Sequence, residues 1–174
     1  MKTRKKIALK DIAKELGVST ALVSYVLNDK FPDRINQDTA KKIRDLAEKL
    51  NYRPNQIAKS LKRNKTFTIG LIIADISNLF YSGIARIIED EAKKMKYNVI
   101  FGSADENQEK FIELIHIFLG RQVDGIILAA PDGSESAIEY LKSQHVPFVL
   151  IDRFFPKIQD INTVLTDNYK ASFM

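Results

Sequence analysis

From residue 68 onward, short apolar runs alternate with amphipathic stretches, and no other feature of the chain restricts its fold as much. The runs lie at 68–74, 98–102, 125–130 and 147–151, each the length of a buried strand. Between the first two, Ile84, Ile87, Ile88, Ala92 and Met95 recur at helical spacing. Phe111, Leu114, Ile115 and Phe118 do the same ahead of the third run, and residues 137–143 ahead of the fourth. Residues 163–165 open a fifth. Strands that alternate with helices imply parallel βαβ units and a sheet covered on both faces. Such sheets bind ligands in the crevice beyond their carboxyl ends. Those ends carry Asp75-Ile76-Ser77-Asn78, Ser103-Ala104-Asp105, Pro131-Asp132-Gly133 and Asp152-Arg153.

The first 65 residues follow a different period. Leu9, Ile12, Ala13 and Leu16 share one face of a helix over 9–16, and Gly17 supplies a turn. Ser19 caps a second helix over 20–28. There Leu22, Val23, Val26 and Leu27 face inward, leaving Thr20, Ala21, Ser24, Tyr25 and Asn28 outward or at the edge. After a polar loop containing Pro32, Asn36 caps a third helix over 37–50, with Ala40, Ile43, Leu46, Ala47 and Leu50 buried. Pro54 then fits the first turn of a short helix over 56–63, too short to stand alone in water.

Charge divides at the same place. Residues 1–65 hold 17 Lys and Arg against 7 Asp and Glu, a net +10, whereas residues 66–174 hold 10 against 15, a net −5. A basic head on an acidic body points to a polyanionic partner for the head alone. The absence of Cys excludes disulfides and thiolate metal sites. No apolar stretch approaches a membrane span, and Lys10, Asp11, Lys14 and Glu15 interrupt what would be a leader's apolar core. The expectation is a cytoplasmic protein with no membrane span, no cofactor and no metal ion.

A helix-turn-helix seats its second helix in the major groove, where base edges present a distinct pattern of donors and acceptors. The helix needs an apolar back, short polar residues near its amino end and phosphate contacts around it. The stretch from Ser19 to Tyr25 meets those needs, although three purely structural helices share much of the pattern. Leu61, set among Lys59, Lys62 and Arg63, fits two roles. It either packs on the neighbouring domain or acts as a wedge between base steps in the minor groove.

The chain resembles the LacI/GalR family of bacterial repressors along essentially its whole length. In the head the matching residues are Lys10-Asp11-Ile12-Ala13, Gly17-Val18-Ser19, Val23-Ser24, Val26-Leu27-Asn28, Leu50-Asn51-Tyr52-Arg53-Pro54-Asn55, Ala58 and Ser60-Leu61. In the body they are Thr68-Ile69-Gly70-Leu71-Ile72, Asp75-Ile76-Ser77-Asn78, Val123-Asp124-Gly125-Ile126-Ile127-Leu128, Ile151-Asp152-Arg153 and Asp167-Asn168-Tyr169. The resemblance implies that Thr20, Ala21 and Tyr25 read bases and that Ser19, Ser24 and Asn28 contact phosphates. It also places Asn55, Ala58, Leu61 and Lys62 in a hinge helix that orders on the operator, with Leu61 as the wedge.

Phe80, Tyr81, Asp152 and Arg153 match positions lining an effector cleft. The implied fold is multi-domain α+β: an all-α helix-turn-helix head over 1–53, a hinge helix and linker over 54–66, and a periplasmic-binding-protein-like parallel sheet over 67–174. The implied partners are near-palindromic double-stranded operator DNA, a small-molecule effector such as a sugar or nucleoside, and a second copy of the chain. The implied role is a repressor.

Four departures stand out. Ala8 replaces the family's Thr cap, a change worth about 1 kcal/mol of helix stability. Leu22 replaces a Thr that contacts phosphate. Tyr25 replaces the Arg with which many members read guanine, and Tyr lacks the bidentate donor pair. Leu79 stands where Pro is expected. The family also continues well past residue 174, so the sensing domain reads as the first of two subdomains, and taken literally a chain this short senses effector poorly.

An α/β enzyme or receiver-type domain with a basic extension is the alternative, since Asp75, Asp105, Asp132 and Asp152 converge at strand ends. Yet no GxxxxGK, GxGxxG or GxSxG motif occurs. His116, within an apolar helical stripe, and His145, ahead of a strand, read as structural. A ligand-binding protein without a DNA role fits neither the basic head nor the missing leader.

Overall fold

A computed structural model describes residues 7–53 and 65–167. The chain divides into two compact units, Met1–Asn55 and Gln56–Met174. In the first, α1 (Leu9–Leu16), α2 (Thr20–Leu27) and α3 (Gln37–Lys49) surround a core of Ile12, Ala13, Val23, Val26, Ala40, Ile43, Leu46 and Ala47. A 3-10 turn, Pro32–Arg34, lies between α2 and α3.

Gly17 ends α1 at φ 65, and the next amide, of Val18, donates back to the Ala13 carbonyl at 3.0 Å. This left-handed stop turns the chain at once into α2. The missing cap at Ala8 is partly compensated. Asp11 reaches back to accept from the Ala8 amide at 2.8 Å, so half of a capping box survives without a hydroxyl.

In the second unit, five parallel strands form one sheet in the order β2-β1-β3-β4-β5. They are β1 (Thr68–Ile73), β2 (Asn98–Ser103), β3 (Gly125–Leu128), β4 (Phe148–Ile151) and β5 (Thr163–Val164). The connecting helices are α4 (Leu79–Lys94), α5 (Gln108–Gly120) and α6 (Glu135–Ser143). Successive strand residues face opposite sides, and the cores divide accordingly. Ile72, Ile126, Leu128 and Leu150 pack with α5 and α6, while Leu71, Ile73, Ile127 and Ile151 pack with α4.

Among the described residues, strand and helix bounds lie within two residues of those the periodicity predicts, and the short helix expected over 56–63 lies outside the described residues. The buried side of α4 follows the expected pattern at Ile88 and Ala92 but not at Ile87 and Met95. Tyr81, Ala85, Ile88 and Ala92 face the sheet, whereas Ile87 and Met95 are 64% and 72% exposed. The helix has apolar residues on more than one side, and sequence spacing alone does not say which side the sheet takes. His116 is exposed rather than buried in the α5 stripe, 3.3 Å from the Tyr140 hydroxyl. Among the described residues no helix is long and apolar enough to cross a membrane.

The α5 side of the sheet is packed so closely that it requires glycine. A Cβ on Gly70 would stand 2.4 Å from the buried Phe118 ring, and one on Gly102 would stand 2.7 Å from Leu114. Gly70→Ala should therefore destabilise the sheet domain by about 1–3 kcal/mol, the usual penalty for overpacking a core, read from urea denaturation. A variant as stable as the parent would contradict this packing.

Candidate functional site

The head presents one polar side of α2 outward because the opposite side is consumed by its core. Val23 and Val26 are buried, while Thr20, Ala21 and Tyr25 are exposed and Ser24 and Asn28 are half-buried. Positions 20, 21, 24, 25 and 28 fall on one side of a helix by spacing. Ser19 accepts from the Leu22 amide at 3.1 Å, which uses an oxygen lone pair and leaves its hydroxyl hydrogen to donate. Asn28 ties its amide to the Ser24 carbonyl at 2.8 Å. Asp29, just past the helix, pairs with Arg44 of α3 at 3.0 Å. Both partners are exposed, so the pair orients the loop more than it stabilises it.

Two neighbours of this side escaped the sequence reading. Phe31 meets the Tyr25 ring edge-on, with centroids 5.5 Å apart, and the Arg34 guanidinium lies 5.7 Å from the Phe31 centroid. Only the Pro32 after Phe31 hinted at a structured turn there. Asn55, Ala58, Leu61 and Lys62 lie outside the described residues.

Where the chain enters the sheet domain, a carboxylate fastens it. Asp124, just before β3, accepts from the Thr66 amide at 2.7 Å and the Phe67 amide at 2.9 Å. The Thr66 hydroxyl lies 2.9 Å from both this carboxylate and the Gln122 carbonyl. Burial opposes ionisation of Asp124, but hydrogen bonds from Thr66, Phe67 and Tyr97 outweigh it and hold the carboxyl below the usual Asp range.

At the other end of the strands lies a cluster of polar and aromatic side chains. Phe80 is 47% exposed at the start of α4, while Tyr81 is only 3% exposed, so its ring belongs to the core and its hydroxyl alone reaches the site. That hydroxyl donates to Asp152 at 2.7 Å. Burial first, and then the Asp152 carboxylate, push the Tyr81 phenol up to about 12, so it stays protonated and keeps donating. Asp152 itself sits at φ 70, a left-handed turn directly after β4.

Arg153 makes a two-pronged pair with Glu106, at 2.9 and 2.5 Å, and lies 3.7 Å from Asp132. These acids hold its guanidinium charged, above its ordinary range. Glu106 follows β2 and Arg153 follows β4, so the pair spans the carboxyl ends of β1 and β3. The sequence reading placed Arg153 in the cleft but missed Glu106, a partner 47 positions away. Gln108 adds a bond to the Asp132 carbonyl at 2.7 Å, and Lys110 pairs with Asp105. Planar charged groups beside an exposed aromatic ring can bind neighbouring hydroxyls in pairs and stack on an apolar ligand face.

The geometry thus defines a class: a helix-turn-helix head followed in the chain by a parallel-sheet domain whose charged side chains gather at its carboxyl edge. Two domain models match in that order, Bacterial regulatory proteins, lacI family, over residues 8–55 and Periplasmic binding protein domain over 69–174. Catabolite control protein A of Priestia megaterium is 41% identical over 167 residues, covering 96% of this chain and 49% of that protein. The HTH-type transcriptional regulator RegA of Clostridium saccharobutylicum is 39% identical over 166 residues, covering 95% and 49%. A crystal structure of the lac repressor dimer bound to operator and the anti-inducer ONPF matches with a TM-score of 0.79 and 25% identity, over 95% of this chain and 50% of that one. The chain spans about half the length of the curated relatives it matches. The chain belongs to the periplasmic binding protein domain family through residues 69–174, and its head is a lacI-family domain over residues 8–55.

The two carboxylates predict different sensitivities. Glu106→Gln should cost less than about 1 kcal/mol, because that pair is partly exposed. Asp124→Asn should cost about 1–3 kcal/mol, because donors set partly into the fold lose a charged acceptor. Since the folded pKa of Asp124 is depressed, its contribution is present above the unfolded pKa and is lost as pH falls through the folded value. Denaturation curves across acid pH should therefore flatten in Asp124→Asn, and unchanged curves would contradict the clasp.

Proposed function

We propose that this chain works in a transcription regulator that reads operator DNA with α2 and answers to a small molecule in the sheet domain. The observation that carries the reading is the outward side of α2, where Thr20, Ala21, Ser24, Tyr25 and Asn28 stand together on a head of net charge +10. Thr20, Ala21 and Tyr25 meet base edges in the major groove, and Ser19, Ser24 and Asn28 hold phosphates. The division into a head at 1–53, a hinge at 54–66 and a sensing domain at 67–174 follows from this reading. Asn55, Ala58 and Lys62 contact DNA from the hinge, and Leu61 wedges between base steps there. This is a repressor's arrangement in the cytoplasm, and it includes no catalytic step.

The effector proposed for the crevice is a small polyhydroxylated molecule of the carbohydrate class. Asp152 and Arg153 would bind its hydroxyls, Phe80 would stack against its apolar face, and Tyr81 would hold Asp152 in place. A second copy covers the exposed apolar side of α4 and β2. Phe101 lies open there and lines a groove of about 390 Å³ together with Leu71, Ile76, Ala85 and Val99. A two-fold dimer presents two α2 helices and so favours near-palindromic sites.

Titrating duplex DNA with the chain over a range of salt tests the reading. The logarithm of affinity should fall linearly with the logarithm of salt, by about 0.9 for each phosphate contacted. Leu61→Ala should weaken binding to a selected site far more than to unrelated DNA. Binding that ignores salt would sink the DNA reading, and equal loss on both kinds of DNA would remove the wedge.

A further inference from the structure

Phe31 is poorly explained by packing within the head. Its ring is 54% exposed, and its backbone sits at φ 55, a left-handed conformation that disfavours a bulky side chain. Strain of this kind, held without burial to offset it, accompanies functional sites more than structural ones. The ring is nonetheless held in place. Tyr25 meets it at 87° between planes, and Arg34 lies against it. The Lys30 amide donates to the Tyr25 carbonyl at 2.9 Å, and the Arg34 amide donates to the Phe31 carbonyl at 3.0 Å. Among the described residues no carboxylate pairs with Arg34.

We propose that Tyr25, Phe31 and Arg34 form one reading element, in which the two rings pack on the C5 methyl group of a thymine and Arg34 holds the adjoining phosphate. The proposal rests on the DNA-binding reading above. Neither ring carries the paired donors that recognise a purine. What an apolar ring can distinguish in the major groove is the methyl group of thymine. Edge-to-face packing on Phe31 fixes the Tyr25 ring before DNA arrives, which spares the ordering penalty on binding. A guanidinium against an aromatic face keeps its N–H edge available to a phosphate.

The test uses the full chain and duplexes selected by it from a random pool, with each thymine in turn replaced by deoxyuridine, which deletes only the methyl group. One thymine per half-site should weaken wild-type binding about fourfold on replacement, the worth of one apolar methyl group. Phe31→Gly should reduce that ratio to below about twofold and yet melt at the same or a higher temperature, because glycine accepts a left-handed backbone freely. Phe31→Leu should keep part of the discrimination. Arg34→Ala should weaken all duplexes alike and lower the salt slope by about one phosphate contact. Binding without any methyl dependence, or Phe31→Gly with wild-type discrimination, overturns this proposal alone. Failure of the wild-type chain to bind any duplex at low salt overturns both it and the reading beneath it.

Discussion

Val23 and Val26 face inward against Ile12 and Ile43, and that burial decides what α2 shows to the outside. A helix of eight residues has too little intrinsic stability to hold an orientation alone. Its orientation is borrowed from α1 and α3, whose apolar stripes leave it one way to sit. With the valines committed, Thr20, Ala21 and Tyr25 have no alternative to solvent or a partner. The turn at Gly17 and the cap at Ser19 then fix where the helix begins, and so which residues stand at the end that would meet a groove.

The sheet domain rests on the same principle in a different geometry. Both sheet faces bury apolar residues, so polar groups concentrate at the two ends of the strands. At the carboxyl end, Arg153 pairs with Glu106 and lies near Asp132, and the adjoining Asp152 accepts from Tyr81. At the amino end of β1 and β3, Asp124 clasps Thr66 and Phe67. β1 is six residues long and runs between the two, a span of about 20 Å at the rise of an extended strand. A change at the carboxyl-end cluster therefore has a stiff, hydrogen-bonded strand through which to reach Thr66 and Phe67.

Local pattern made the elements legible, and long-range pairing hid the rest. Leu9, Ile12, Ala13 and Leu16 gave α1 its bounds, and apolar runs located every strand, because periodicity and burial are properties of neighbouring residues. α4 misled because Ile87 and Met95 extend its apolar pattern around the helix, and only the sheet's position selects Tyr81, Ala85, Ile88 and Ala92. The partners of Arg153 and Asp124 lie 47 and 58 positions away, and no spacing rule connects such pairs. Phe31 was hidden for a related reason: a left-handed turn carrying an aromatic residue has no composition signature. The family resemblance brought Tyr25 and Arg153 to notice, whereas Phe31, Glu106 and the Asp124 clasp emerged from the folded geometry.

Amide chemical shifts of the isotopically labelled chain, followed as duplex DNA is added at low salt, test most directly whether α2 is the DNA-reading surface. The largest changes should fall on residues 19–28, with smaller ones in the loop after them and little change in the strands of the sheet domain. Changes confined to the sheet domain, or distributed without regard to α2, would contradict it.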